Sequence, residues 1–426
     1  SPDGHSVVVV GAKDQTVHGR SIQRLYLVPR RGNGGNQIIS LSSDFDLATF
    51  PVAGGNWGFP DPYRPQWSQD GQQIYFLATE RSRVHVYTID IASRSISQLT
   101  SGDSLTTFLA LLPGERGFLL AQERPDHPWE LYHLPLTDTG AGVLERLTHL
   151  YDQFMSERLW GKFEHIRYQG VNGDEIDGWL IHPIGARGGV RYPLMVHIHG
   201  GPHWAFGIGV DPVYHHFAAQ GYAIFYCNPH GSTGRGEAFM RQVLGDWGGW
   251  DFQDIMLGVN ECIARGVADP ERMVVTGYSY GGFMSMFIIG HTNRFKAAVP
   301  MAGISNLTTF VGTSDIGFWQ VAQAKGYPWD PERADYYRER SPLSSAHRVT
   351  TPTLFLHPEN DLRCPIEQSE QFYMTLKMMG KVPVEFVRAP AAWHIGTTKP
   401  SQFLSYWQKM LEWFGKYVEI RSDEYE

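Results

Sequence analysis

Through residues 1–150, short apolar or alternating runs are separated by clusters of Gly, Pro, Asp and Ser, which predicts strand after strand. Three groups of runs are alike. Each opens on a turn, Ser1-Pro-Asp-Gly4, Ser68-Gln-Asp-Gly71 or Leu112-Pro-Gly-Glu115, that leads into a strand at 6–10, 73–78 or 117–122. A second strand follows at 25–28, 84–89 or 130–135, and a third closes each group at 37–41, 97–100 or 145–148. The strand starts at 6, 73 and 117 lie 67 and 44 residues apart. A period near 44 made of short strands predicts propeller blades, with an insertion at 48–65 lengthening the first copy. A generic antiparallel sandwich is the other reading. Three blades cannot close a ring, so the expectation is a C-terminal portion of a longer protein, with about three or four further blades before residue 1. Residues 1–426 alone are then expected to be poorly soluble through unpaired blade edges.

From about residue 155 the pattern changes. Runs at 163–169 and 176–183 read as a hairpin joined at Asn172-Gly173. Buried-type strands follow at 194–199, 222–227, 273–277, 297–301, 353–357 and 384–388, and helical stretches at 212–219, 252–264, 280–290, 366–379 and 401–417 separate them. The last helix carries an apolar stripe that includes Phe403, Trp407, Met410 and Phe414. Two antiparallel strands followed by strands with crossover helices describe an α/β-hydrolase: a doubly wound, mostly parallel eight-stranded sheet. The expected domains are a partial β-propeller over 1–153 and an α/β-hydrolase catalytic domain over 154–426.

Within that second region, Met273-Val-Val-Thr-Gly-Tyr-Ser-Tyr-Gly-Gly-Phe283 fits the G-x-S-x-G turn that lifts a serine between a strand and a helix. Gly277 and Gly281 have a mechanical reason, because a Cβ two positions either side of the serine collides with neighbouring backbone. Phe283, Met286, Phe287 and Ile289 supply one apolar face of the helix that follows. Ser279 is the candidate nucleophile; an ordinary strand-to-helix turn is the plainer reading.

A serine hydroxyl is a weak nucleophile until a base accepts its proton, and that base needs a carboxylate to hold its tautomer. On this fold the chain order is Ser, acid, His. Of His291, His347, His357 and His394, it is His394 that follows the last strand in a loop, where the fold places its base. Asp361 lies just beyond the strand at 353–357, with Pro365 opening the next helix, and Glu359 is the alternative acid. Asp315, Asp330 and Asp335 read as helix caps and surface charges. His199-Gly-Gly-Pro202 ends the third strand, where the fold supplies one oxyanion donor; the N–H of Tyr280, next after the nucleophile, is the second. His197, His199 and His203 raise a metal site as an alternative. No carboxylate accompanies them and a serine mechanism needs no metal, so neither metal nor cofactor is expected. Phe318, Trp319, Trp204 and Val311 would make a bulky apolar substrate pocket, or equally a piece of core.

Composition narrows the partners. At 426 residues the chain exceeds one typical domain, and a net charge of −8 without a long basic run argues against nucleic acid. No apolar run approaches the roughly 18 residues of a membrane span, so no membrane partner is expected. Cys227, Cys262 and Cys364 are sparse, with no C-x-x-C spacing, which suits a reducing compartment and a cytoplasmic location. A homo-oligomer stays open.

The chain resembles the prolyl oligopeptidase family of serine peptidases, in its acylaminoacyl-peptidase branch. The resemblance covers essentially the whole chain and rests on the partial propeller, His199-Gly-Gly-Pro202, Asn228-Pro-His-Gly-Ser-Thr-Gly234, Trp247-Gly-Gly-Trp-Asp-Phe-Gln-Asp254, Gly277-Tyr-Ser-Tyr-Gly-Gly282 and Asp361-Leu-Arg-Cys-Pro365. It implies a peptidase whose propeller limits entry to short peptides, with or without an N-terminal acyl group. It also implies that Gly201 and Tyr280 give the oxyanion N–H groups, and that Arg363 binds a substrate carbonyl two residues before the scissile bond. The sequence departs from the family at His230, where arginine is usual, at Pro358, where glycine is usual, and at Ala391-Ala-Trp393, where a charged or small residue usually precedes the histidine. Three other readings stand beside peptidase: a carboxylic-ester hydrolase, a carboxypeptidase-like enzyme using Arg235 or a propeller arginine for the terminal carboxylate, and an interaction module carrying an inactive hydrolase.

Overall fold

The computed structural model describes residues 1–12, 21–30, 37–51, 53–54, 64–137, 140–394 and 399–425. Of the insertion expected at 48–65, residues 52 and 55–63 lie outside that set. The chain forms two compact units, one of Ser1–Leu159, Ala205–Asp211 and Thr233–Met240, the other of Trp160–Trp204, Pro212–Ser232 and Arg241–Glu426.

Short antiparallel strands build the first unit. β1 (Ser6–Gly11), β2 (Arg24–Pro29) and β3 (Ile39–Ser40) form a meander, and β4 (Ala53–Gly54) follows. Next come β5 (Gln66–Trp67), β6 (Gln73–Glu80), β7 (Arg83–Asp90) and β8 (Ile96–Gln98), consecutive members of this group pairing antiparallel. β9 (Leu105–Leu111), β10 (Gly117–Arg124) and β11 (His127–Thr137) repeat the pattern, with β12 (Gly140–Ala141) and β13 (Glu145–Arg146) both on β11, before a short helix, α1 (Asp152–Ser156). One parallel bridge, Val84 to Leu105, joins the second and third meanders.

The sequence pattern predicts three strands per repeat, whereas these two meanders have four places, the outermost of the later one shared by β12 and β13. The additional strand lies ahead of the opening turn, and the reason is physical: a tight turn that reverses the chain has a strand on each flank. The Ser68 Oγ accepts the Gln73 N–H at 2.8 Å across one such turn. Leu25 and Leu41 of the first meander pack with Ile74, Phe76, Ala78, Tyr87 and Ile89 of the second, so alternating strands bury one face between neighbours. Four-stranded meanders repeated in this way are blades of a propeller.

The second unit opens on the hairpin β14 (Phe163–Gln169) and β15 (Glu175–Ile181). At its turn Asn172 and Gly173 have φ of 59° and 79°, the left-handed pair that a tight two-residue turn demands. β16 (Tyr192–Ile198) is buried along its length. The chain then runs through Ala205–Asp211, where β17 (Ala205–Phe206) pairs in parallel with β4 inside the first unit. Back in the second unit come α2 (Pro212–Ala219) and β18 (Ala223–Asn228); α3 (Gly236–Arg241) closes the other segment of the first unit. α4 (Trp250–Ala264), β19 (Ala268–Tyr278), α5 (Tyr280–His291) and β20 (Ala297–Met301) follow, then the helices α6 (Leu307–Thr313), α7 (Gly317–Ala324), α8 (Ala334–Arg340) and α9 (Pro342–Ser345). β21 (Thr353–Pro358), α10 (Glu367–Met379), β22 (Val384–Ala389) and α11 (Pro400–Gly415) complete the unit.

Among the described residues these strands form one eight-stranded sheet in the order β14-β15-β18-β16-β19-β20-β21-β22. β15 runs against both its neighbours and the remaining pairs are parallel, which the crossover helices make possible. The expected single apolar face of α5 is corrected by the structure. Residues 280–290 are buried on every side, since the helix packs against β16, β19, β20 and α9.

Candidate active site

Ser279 stands between β19 and α5 with φ 63° and ψ −119°. For a residue with a Cβ this backbone costs on the order of 1–3 kcal/mol, and it persists only where surrounding bonds fix it. Here the Ser279 N–H donates to the Met301 carbonyl and the Ser279 carbonyl accepts the Phe283 N–H, both at 2.9 Å. A Cβ at Gly281 would lie 2.1 Å from the Ile198 oxygen, and one at Gly277 would lie 2.6 Å from the Gly281 carbonyl. The turn therefore needs glycine on both sides of the serine.

Two loops bring the other groups to it. After β22, His394 places Nε2 2.9 Å from the Ser279 Oγ and donates from Nδ1 to the Asp361 Oδ2 at 2.7 Å. Asp361 is buried just past β21, and its Oδ1 accepts the N–H groups of Arg363 and Cys364 at 2.9 and 2.8 Å. Both carboxylate oxygens are thus occupied, which holds the imidazole in one tautomer with Nε2 as acceptor. Glu359 is engaged elsewhere, with Arg388 at 2.9 Å. His357 is buried against the Ser369 hydroxyl and the Cys364 carbonyl, and burial pushes it down to about 4. His291 and His347 bond to the carbonyls of Phe287 and Ser344.

Gly201 has φ 119°, and a Cβ there would lie 2.5 Å from the His203 nitrogen, so a side chain is excluded beside the backbone N–H. Tyr280 is the first residue of α5, where a helix leaves its N–H groups without an intrahelical partner. The nearby histidines turn to separate protein partners: His197 to the Tyr214 hydroxyl at 2.5 Å, His199 to Ser232 Oγ at 2.9 Å, and His203 to the Gly231 carbonyl and Gln323 at 2.9 and 3.0 Å. Burial pushes His197 down to about 3 and His199 to about 4, and lowers His203. Among the described residues, the three ligand-type side chains that do converge are His127, Glu130 and Asp152 in the first unit, and the Arg146 guanidinium bonds to each of them.

Arg363 is half-exposed and its guanidinium is gripped by Asp315, Nε to Oδ1 at 2.8 Å and Nη2 to Oδ2 at 3.3 Å. Asp315 is therefore more than the cap or surface charge the sequence suggests. Asp330 is not the cap of a helix, since its side chain accepts the Tyr327 N–H three positions back in the turn between α7 and α8 and the N-cap position of α8 is held by Arg333, and Asp335 pairs with Arg338. Of the four apolar pocket candidates, Trp319 lies edge-on to Trp247 at 5.7 Å and to His203 at 6.4 Å. Val311 is on α6, Phe318 on α7 is 63% exposed, and the Trp204 N–H donates to the Pro202 carbonyl. Nothing in the sequence signals that Asp315 grips Arg363 or that the Cys364 Sγ lies 3.8 Å from the Ser279 Oγ. Cys364 was nonetheless within reach, three positions past Asp361 in a motif already noted.

Sheet order, crossover helices and the serine turn after the fifth strand define an α/β-hydrolase, preceded in the chain by propeller blades. Residues 210–421 match the prolyl oligopeptidase family, and the chain belongs to it. It is 39% identical over 362 residues to the uncharacterized peptidase YuxL of Bacillus subtilis, a match covering 83% of this chain and 53% of that protein. The solved Pyrococcus horikoshii acylaminoacyl peptidase aligns with a TM-score of 0.82 at 26% identity, over 99% of this chain and 62% of its own. A solved acylaminoacyl peptidase in complex with Z-Gly-Gly-Phe-chloromethyl ketone aligns with a TM-score of 0.83 at 26% identity, over 99% of this chain and 64% of its own. This chain spans about half the length of the curated relatives it matches.

Proposed function

We propose that this chain is the catalytic portion of a serine peptidase that hydrolyses short peptides, free or N-acylated, through an acyl-enzyme on Ser279. The observation that carries the reading is the continuous line from Ser279 Oγ to His394 at 2.9 Å and from His394 to Asp361 at 2.7 Å, held on a strained turn. His394 Nε2 takes the hydroxyl proton as Oγ attacks the carbonyl carbon, and Asp361 stabilises the imidazolium through Nδ1–H. The same proton then passes to the leaving amine, and a water molecule repeats the sequence on the acyl-enzyme. The N–H groups of Gly201 and Tyr280 receive the oxyanion, each worth about 3 kcal/mol of barrier in comparable sites. Arg363 takes a substrate carbonyl, with Asp315 fixing the plane of its guanidinium. Trp204, Val311, Phe318 and Trp319 take an apolar side chain next to the scissile bond.

The peptidic substrate follows from family membership and from the acylaminoacyl peptidases among the solved relatives, one of them in complex with a peptide chloromethyl ketone. Three free, buried cysteines suit a reducing compartment, and the reading includes a cytoplasmic location. The test is fluorophosphonate labelling of the chain and of Ser279→Ala, followed by hydrolysis of one peptide series with free and acylated N-termini. The expected result is Ser279-dependent labelling together with peptide cleavage. Labelling with turnover of simple esters and none of any peptide would establish an esterase instead.

A further inference from the structure

The segment Asp246-Trp-Gly-Gly-Trp-Asp251 stands out in the sequence, and the mechanism above gives it no task. In the structure it forms the platform beneath Tyr280. Asp251, in the first turn of α4, is fully buried. Its Oδ1 accepts the Phe252 N–H at 2.8 Å, its Oδ2 accepts the Gly248 N–H at 3.1 Å, and Oδ2 also accepts the Tyr280 hydroxyl in a short hydrogen bond. The Tyr280 ring lies edge-on to Trp247 at 5.0 Å and stacks on Phe283 at 5.5 Å. The platform is tied down in turn, since Arg340 bonds the Gly248 carbonyl at 3.0 Å and Asp246 at 2.7 Å.

We propose that Asp251 is a positioning residue for the oxyanion site: by anchoring the Tyr280 phenol it fixes the peptide plane between Ser279 and Tyr280, and so the direction of the Tyr280 N–H. The inference rests on the reading of that N–H as an oxyanion donor. A residue clamped at its ring and at its hydroxyl cannot rotate its backbone freely, and the peptide in question adjoins the strained Ser279, whose backbone persists only where surrounding bonds fix it; the Phe283 N–H holds the carbonyl edge of that peptide at 2.9 Å, and the phenol clamp holds the residue on its N–H edge. Oxyanion donors act by being aimed before charge develops, so a donor swung off line weakens transition-state binding and leaves ground-state binding alone. Burial is the largest influence on the Asp251 carboxyl and pushes it up to about 6, against the three hydrogen bonds that favour its charge. A phenol proton directed at a buried acceptor of this kind makes a strong anchor.

The test compares Tyr280→Phe, Asp251→Asn, Asp251→Ala and the double variant Asp251→Asn/Tyr280→Phe in the full chain. The readouts are kcat and KM on an acyl-peptide and on p-nitrophenyl acetate, and affinity for a peptide aldehyde whose hemiacetal oxygen mimics the oxyanion. Tyr280→Phe keeps the ring and removes only the hydroxyl. It is expected to lower kcat by about 10-fold or more on both substrates, within the about 10²–10³ that loss of a whole donor brings, with KM unchanged. Aldehyde affinity should fall by the same factor as kcat. Asp251→Asn retains an acceptor oxygen and should lose less than Asp251→Ala, and the double variant should be no worse than the worse single one. Full kcat in Tyr280→Phe, a loss confined to KM, or additive losses in the double variant would each overturn the proposal. If Asp251→Ala does not fold, Tyr280→Phe decides alone. A wild-type chain without Ser279-dependent turnover overturns the peptidase reading itself, and that control separates the two failures.

Discussion

Ser279, His394 and Asp361 act, on the proposed mechanism, as one unit, because each hydrogen bond in the line has meaning only if the next is made. Ser279→Ala is expected to lower kcat by about 10⁴–10⁶-fold with the fold intact, and adding His394→Ala or Asp361→Asn should cause no further loss. Multiplying losses in the double variants, or a Glu359→Gln variant as damaged as Asp361→Asn, would take Asp361 out of the mechanism. Arg363 belongs to a separate part of the site. Its pair with Asp315 is half-exposed on both sides, so it contributes little to stability, about 0–1 kcal/mol. Its value lies in holding a planar donor fork ready for a carbonyl. Arg363→Ala is therefore expected to reduce kcat/KM on an acyl-tripeptide by about 10-fold or more, the worth of one charge-assisted hydrogen bond. Turnover of p-nitrophenyl acetate, too short to reach the guanidinium, should not change; equal losses on both substrates would rule out a substrate-binding role.

Between elements, one imidazole ties a loop, a helix and a turn together. His230, in the loop after β18, gives both its N–H and its Nδ1 to the Asp254 Oδ2 of α4, at 2.8 and 2.6 Å, and its Nε2 meets Asp174 of the β14–β15 turn at 3.0 Å. The Trp250 ring lies edge-on at 5.1 Å, and Asp254 Oδ1 accepts the Val171 N–H from the same turn at 2.8 Å. Burial pulls the imidazolium down, but the hydrogen bonds and charges of Asp254 and Asp174 outweigh it, and the net shift is upward. A group whose pKa is raised by folding stabilises fully below its unfolded value, about 6.5, and that stability is lost as pH rises through the folded value. The melting temperature should accordingly fall from pH 6 to pH 9 more steeply in the wild type than in His230→Gln. His230→Arg, with a permanent charge, should flatten the slope at high stability. Parallel slopes in wild type and His230→Gln would sink this account. Elements of this kind differ in how plainly the sequence announces them. The strands of the large sheet stand out as continuous apolar runs, and Ser279, Asp361 and His394 follow from one turn motif and the chain order of the fold. β5 and β9 were hidden because a strand ahead of a turn looks like the turn's approach, and α6 to α9 because short helices have too few turns to show a period. Asp315–Arg363 and Asp251–Tyr280 are 48 and 29 residues apart in the chain, and nothing in a single sequence measures distance between such positions.

For the whole molecule, the consequential feature is that the first unit is not contiguous in sequence. Two excursions, Ala205–Asp211 and Thr233–Met240, leave the second unit and return to it, the first directly after the His199-Gly-Gly-Pro202 stretch that contains Gly201. Ala205, Phe206, Ile208, Val210, Phe239 and Met240 are all buried in these excursions. Their partners lie early in the chain: β17 pairs with β4, the Ile208 N–H donates to the Ser82 carbonyl at 3.2 Å, and Met240 packs with Ile22, Ala48 and Phe50. Exposing a large apolar side chain costs about 1.5–3 kcal/mol, so removing residues 1–159 would forfeit on the order of 10 kcal/mol. That is comparable with the entire stability of an ordinary domain, about 5–15 kcal/mol. The loss would fall on segments adjoining Gly201 and the 228–232 loop, so activity should suffer with stability. Residues 160–426 expressed alone are therefore expected to be largely insoluble, and any soluble fraction to melt well below the 1–426 chain with reduced kcat on p-nitrophenyl acetate. A soluble, monomeric 160–426 chain, melting within a few degrees of residues 1–426 and matching its esterase kcat, would show that the second unit is self-sufficient and that the early strands do not support its two excursions.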